Sequence, residues 1–262
     1  MLRENELRMT LCVVSLVLGN LTSSSFASAE SFDKPVRKTV VELGPPSLMP
    51  SRGGQIQLSC FYYPDFMVKQ LVDPSEKGTQ WVTIDPVRNG DSPGCRQSHS
   101  PMERFIAEDG WFFIGAKGSR VFLEAADGTS GGMPFRILDQ RTGKKIFEDS
   151  MWGRAHFEFL QESGGKLTVR YLRLVEGDCS LAKDEIGCWN KFREKYGLAN
   201  ATVPKCMGYR REGEREWVPG DEGVPPAEIT NPSALVYPVL LEFSPRPSIK
   251  AAQGTVRCFP VD

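Results

Sequence analysis

The sequence predicts a mostly β protein, an antiparallel meander arranged as a sandwich or barrel, with one short helix in a disulfide-held insertion. Three observations predict it. Residues 111–149 contain four short apolar-rich runs separated by turns rich in Gly, Asp and Ser, the pattern of an antiparallel meander. Helical periodicity is convincing in one stretch alone, residues 183–197. Beyond the N-terminal segment the cysteines are Cys60, Cys95, Cys179, Cys188, Cys206 and Cys258, an even set that reads as disulfides in an exported chain.

The first 29 residues read as a targeting segment. Arg3 and Arg8 make a positive start, residues 11–18 a short apolar core, and Ala27-Ser28-Ala29 an A-x-A cleavage site before Glu30. The apolar run falls short of the ~20 residues that span a bilayer. These features place the mature protein in the periplasm or outside the cell, without a membrane span. Residues 30–54 are Pro- and Gly-rich and read as extended chain, with a solvated basic run at 34–38.

The β-body is assigned to residues 30–177. Its first strand is expected at 55–62, where Ile56, Leu58, Cys60 and Tyr62 alternate with polar residues. Two further strands, 66–72 and 80–84, flank the 73–78 turn. This hairpin is echoed about 66 residues later by 135–149: apolar run, Asp, polar residues, Gly, apolar run, acidic end. Such echoes occur between propeller blades, so a small β-propeller-like fold is the alternative. Residues 86–102 form a long loop carrying Cys95 and His99. In the meander, Val121 and Leu123 alternate with charged residues, but Phe122 breaks the alternation and implies cover on both faces. Pro134 suits a strand start or an edge. Residues 154–160 and 166–175 form another hairpin, with Leu167, Val169, Tyr171 and Arg173 in alternate positions.

The insertion is assigned to 178–232. Its helix carries Ile186, Trp189, Phe192 and Tyr196 as one apolar stripe, with Ser180, Asp184 and Glu185 at its acidic start and Gly197 as the C-terminal cap. Residues 233–262 supply the last strands and complete the body, Pro238 marking an edge or bulge. For the cysteines, the simplest scheme joins Cys60 to Cys95, two of Cys179, Cys188 and Cys206 to each other, and the third to Cys258. Zinc is disfavoured because no two cysteines have the C-x₂₋₄-C spacing.

Signals for chemistry are few. The chain carries a net charge of −1, which argues against nucleic acid as a main partner. Gly128-Thr129-Ser130-Gly131-Gly132 matches G-x-S-x-G, but it lies between strands rather than at a strand-to-helix elbow. Two histidines, His99 and His156, are too few for the usual zinc hydrolase ligand set. No cofactor, metal or catalytic residue is assigned. His99, Glu103 and Asp109 form the candidate loop site, an acid–base group if the loop folds over a cleft. Acidic neighbours such as Glu176 and Asp178, or Asp184 and Glu185, leave a carboxylate-based exported hydrolase as the competing reading. The leading reading is an exported, soluble, disulfide-bonded binding module. It would take a protein, peptide or carbohydrate at its loops or at the cap around Cys179, Cys188 and Cys206. A cleft with a raised-pKa carboxylate would favour the enzyme, and an aromatic patch without one would favour binding.

Overall fold

The structure is a computed structural model and describes residues 31–46, 54–88, 90–153, 157–205, 232–244 and 246–261. It is mostly β and antiparallel, in two sheets, and it is neither a closed barrel nor a ring of blades. The first sheet has the order β1-β2-β3-β4-β5, from β1 (Arg37–Gly44), β2 (Ile56–Tyr62), β3 (Phe66–Val72), β4 (Trp81–Pro86) and β5 (Arg104–Glu108). The chain crosses to the second sheet at Asp109-Gly110, where both residues have positive φ (25° and 80°).

The second sheet begins as the expected meander. Its strands are β6 (Trp111–Lys117), β7 (Arg120–Ala125), β8 (Gly132–Asp139) and β9 (Lys145–Trp152). They continue through β11 (Lys166–Glu176) and β12 (Ser233–Phe243) to β13 (Pro247–Ala251), while β10 (Phe157–Ser163) pairs with β11 and β14 (Arg257–Pro260) with β12. The C-terminal strands thus extend the sheet of the meander.

Packing is in layers around β7. Val121 and Leu123 point at Val68, Val82 and Ile84 of the small sheet. Phe122, on the opposite face, joins Phe135, Tyr171 and Tyr237 in the larger core. Both faces of β7 are therefore buried, which is why its apolar residues are contiguous. The larger core forms because the second sheet folds back over itself, β10–β12 covering β7–β9. Phe135, Phe157 and Tyr171 meet edge-on there, with ring centroids 5.0–6.2 Å apart, the geometry aromatic quadrupoles prefer.

The fold-back leaves a seam between β6 and β10, and the start of the described chain fills it. The Phe32 ring lies 5.1 Å from Phe122 and 5.9 Å from Phe157. Gly115 on β6 makes room, since a Cβ there would fall 2.3 Å from that ring. The Asp33 N–H donates to Ala116 O (2.8 Å) and its carboxylate accepts from the Gly118 N–H (2.6 Å). Burial, and then the nearby Asp33 charge, push the Tyr63 hydroxyl up to about 12.

Several expectations need correction. A strand, β1, precedes the one expected first. Its side chains are largely exposed, so no apolar face marks it, and backbone pairing to β2 makes it a strand. The basic run is not simply solvated: Arg37 lies over the Tyr62 ring at 3.8 Å and Lys38 over Phe61 at 5.0 Å. β5 and β13 are further additions; β13 reads P-S-I-K-A and is mostly exposed. Pro238 is in a central strand, with β11 on one side and β13 and β14 on the other. Its carbonyl accepts from Ala252 N (2.9 Å), so its missing N–H faces that same side, where pairing passes from β13 to β14. The strand tolerates proline because no ladder bond is lost at that gap.

The helix, α1 (Glu185–Tyr196), starts two residues later than expected. Asp184 is its N-cap, accepting from Gly187 N at 3.0 Å, while the Ser180 carbonyl closes the preceding turn. Gly197 ends it in the left-handed conformation (φ 68°). The buried face is Cys188, Trp189 and Phe192. Ile186, expected in the stripe, is 76% exposed. It lies roughly a third of a turn from the centre of that face, and the Cys188 tether fixes which way the helix is rolled.

Phe32→Ala should lower the unfolding free energy by roughly 2–4 kcal/mol. Val36→Ala, at an exposed position, should change it by less than about 0.5 kcal/mol. Urea denaturation of both variants checks this.

Candidate functional site

Two disulfides are formed among the described residues, Cys60–Cys95 and Cys179–Cys188. They close segments of 35 and 9 residues, and chain entropy alone makes each worth roughly 2.5–4 kcal/mol. Cys258 is also disulfide-bonded. Cys206 lies outside the described residues, as do His156 and the second half of the insertion.

The candidate loop is brought together in part. It crosses the outer face of the small sheet, tied by Cys95 to Cys60 on β2. A second tie is a buried ion pair: Lys69 Nζ lies 2.7 Å from Glu103 Oε2, with the two side chains 2% and 0% exposed. Lys69 also donates to the carbonyls of Arg96 and Ser98 (3.1 Å each), so all three of its protons are used. Glu103 accepts from Thr83 Oγ1 (2.5 Å) and from Ser100 N (3.0 Å), and His99 Nδ1 lies 3.0 Å from Oε1. Burial raises the Glu103 pKa, but the hydrogen bonds from Lys69, Thr83, His99 and Ser100 outweigh it and hold the carboxyl below the usual range. Such a carboxylate is an anchor rather than a proton donor. Asp109 is not part of this group. It sits beyond β5 in the turn between the sheets, its N–H donating to Gln80 O at 3.3 Å.

What the clamped loop displays is an aromatic corner. The His99 ring lies 4.9 Å from Trp81 and 4.6 Å from Phe105, with interplanar angles of 67° and 52°. Phe105 is 52% exposed on the edge strand β5. Ser130 occupies an ordinary turn between β7 and β8 with φ 50°. That is a strand-to-strand link, not a nucleophile elbow.

A second place emerges where α1 meets the end of β11. Here β9 and β11 share one register pair, Arg173 with Met151. Side chains carry the joint: Asp149 of β9 accepts from the Tyr171 hydroxyl and from Arg173 Nε, 2.9 Å from Oδ2. Arg173 reaches on to the Tyr237 hydroxyl of β12 (3.4 Å) and lies 5.6 Å over the Tyr196 ring of α1. Burial, then the Asp149 charge, drive the Tyr171 hydroxyl far above its ordinary range, so it stays a proton donor. Burial likewise raises Tyr237, against the pull of Arg173.

Beside this clasp is a recess of about 370 Å³. Glu176, Gly177 and Asp178, leaving β11, form one wall, and Lys191, Lys195 and Tyr196 of α1 the other. Phe192, almost wholly buried, is the floor. Tyr196 is held by a bond from its hydroxyl to Glu176 O (3.3 Å), and Glu176 Oε1 accepts from Thr129 (3.0 Å). Gly177 lets strand and helix touch, since a Cβ would fall 2.5 Å from the Phe192 ring. The sequence marked this neighbourhood through its cysteines and its acidic pair. It did not mark Asp149 or Lys69, which sit in alternating strands at positions that read as solvent-facing. No group of three or more His, Cys, Asp or Glu among the described residues could hold a metal.

Removing one partner of a buried pair leaves the other charge uncompensated. Glu103→Gln and Lys69→Met should each cost about 3–5 kcal/mol, and the double variant about 1–3 kcal/mol less than their sum, read by urea denaturation. The pH dependence has a definite sign. The folded pKa of Glu103 is depressed, so its contribution is present above the unfolded value, about 4.3. It is lost as pH falls through the folded value. The stability gap between wild type and Glu103→Gln should therefore narrow below about pH 4.

No family model, no curated protein and no solved structure matches this chain.

Proposed function

We propose that the protein is an exported, soluble binding module that takes a small ligand where the disulfide-held helix meets the β-body. The observation that carries this is the recess of about 370 Å³ with fixed walls, a volume at the lower end of small-molecule sites. One wall is a strand end, the other a helix tethered through Cys179–Cys188, and Tyr196 is pinned from two sides. Rigid walls cut the ordering cost of binding. Export is supported by the leader pattern at residues 1–29 and by the disulfides, which persist in oxidising compartments. No helix among the described residues is long and apolar enough to cross a membrane.

The hydrolase reading needs a carboxyl group kept protonated near neutrality. Glu103, Glu148 and Glu242, whose carboxyls are displaced downward, do not meet that need. A second reading rests on Phe105: a half-exposed phenylalanine beside Trp81 and His99 on a clamped loop suits contact with an extended peptide.

A fragment screen on isotope-labelled protein lacking residues 1–29 separates these readings. Binding at the recess predicts amide shifts centred on residues 176–179 and 191–196. Shifts centred on 99–105 instead would favour the peptide surface, and no shifts with any fragment would contradict the small-ligand reading.

A further inference from the structure

We infer that the recess binds a small zwitterion, an α-amino acid with an apolar side chain, held through both of its charges; this rests on the reading of the recess as a ligand site. The distribution of charge points to such a ligand. The strand-end wall carries two carboxylates, Glu176 and Asp178, and the helix wall two ammonium groups, Lys191 and Lys195. Opposite signs face each other across the Phe192 floor, so the recess is neutral overall but polarised from wall to wall.

These charges are available. Asp178 and Lys191 approach at 3.6 Å, but their side chains are 84% and 64% exposed, and such a pair separates at little cost. Lys195 has no carboxylate partner among the described residues, and its ammonium rests 5.1 Å over the Tyr196 ring. Glu176 is oriented by Thr129 through Oε1 alone, which leaves Oε2 for a ligand.

Ligands of one sign fit poorly. A simple carboxylate would gain Lys195 but would sit near Glu176, and a simple amine would gain Glu176 but would sit near Lys195. Like-charge contacts of this kind are what suppress wrong partners. A zwitterion places its ammonium group toward Glu176 and its carboxylate toward Lys195. Its side chain then lies along the Phe192 floor.

The test is an NMR titration of the protein lacking residues 1–29 with L-phenylalanine, 3-phenylpropanoate and 2-phenylethylamine. L-Phenylalanine should shift the amides of residues 176–179 and 191–196. The two analogues, each missing one charge, should bind more weakly by roughly tenfold or more. Lys195→Gln and Glu176→Gln should each weaken L-phenylalanine by roughly fivefold or more. Neither should change the melting temperature, since the amide oxygen introduced by Glu176→Gln still accepts from Thr129. Either analogue binding as tightly as L-phenylalanine overturns the zwitterion assignment, as does silence from all three probes. If other fragments still shift the recess amides, the ligand site itself stands; if none does, both readings fall together.

Discussion

The joint between β9 and β11 is the constraint on which the larger sheet depends. Among the described residues, backbone pairing there is Arg173 with Met151, and this is the point at which the meander turns back over the C-terminal strands. Asp149, Tyr171, Arg173 and Tyr237 reinforce that pairing with charge-assisted bonds. These bonds are strong because they are largely removed from water. The same removal makes them unforgiving, since a lone Arg173 in that site would be costly. The clasp also extends to α1 through Tyr196, so the fold-back and the helix seat are held by one network.

The small sheet solves a different problem in a similar way. Its inner face is covered by β6–β8, but its outer face would expose Leu58, Met67 and Leu71. A loop covers them, and a loop has no ladder to hold it. The Cys60–Cys95 bond fixes one point and the Lys69–Glu103 pair another. Lys69 also donates to two loop carbonyls, of Arg96 and Ser98, which ties the loop to the sheet at further points. This is a structural use for a buried charge, and the aromatic corner of Trp81, His99 and Phe105 is a consequence of it.

How much of this was legible in the sequence follows from what each feature depends on. The meander, the β3–β4 hairpin and the helix were legible because period and turn chemistry are local. The break in alternation at Phe122 correctly announced a strand covered on both faces. Cys60 with Cys95, and a pair within the Cys179 group, were legible from spacing. β1 was not, because a strand defined by backbone pairing alone leaves no apolar pattern. Lys69 reads as an ordinary solvent-facing residue in F-M-V-K-Q-L-V, and its burial is created by a loop about 30 residues away. Pro238 misled because its penalty depends on which side the N–H would face. At the recess, the acidic pair Glu176 and Asp178 was visible, but its opposition to Lys191 and Lys195 exists only once α1 is docked.

Hydrogen exchange on Asp149→Asn is the most direct test of the shared network. The substitution keeps an acceptor for Tyr171 but removes the charge that compensates Arg173. If the clasp holds fold-back and helix together, amides of residues 149–152 and 185–196 should lose protection by a similar factor, while those of β2–β4 keep theirs. Loss confined to β9, with α1 unchanged, would contradict the claim that one network seats both.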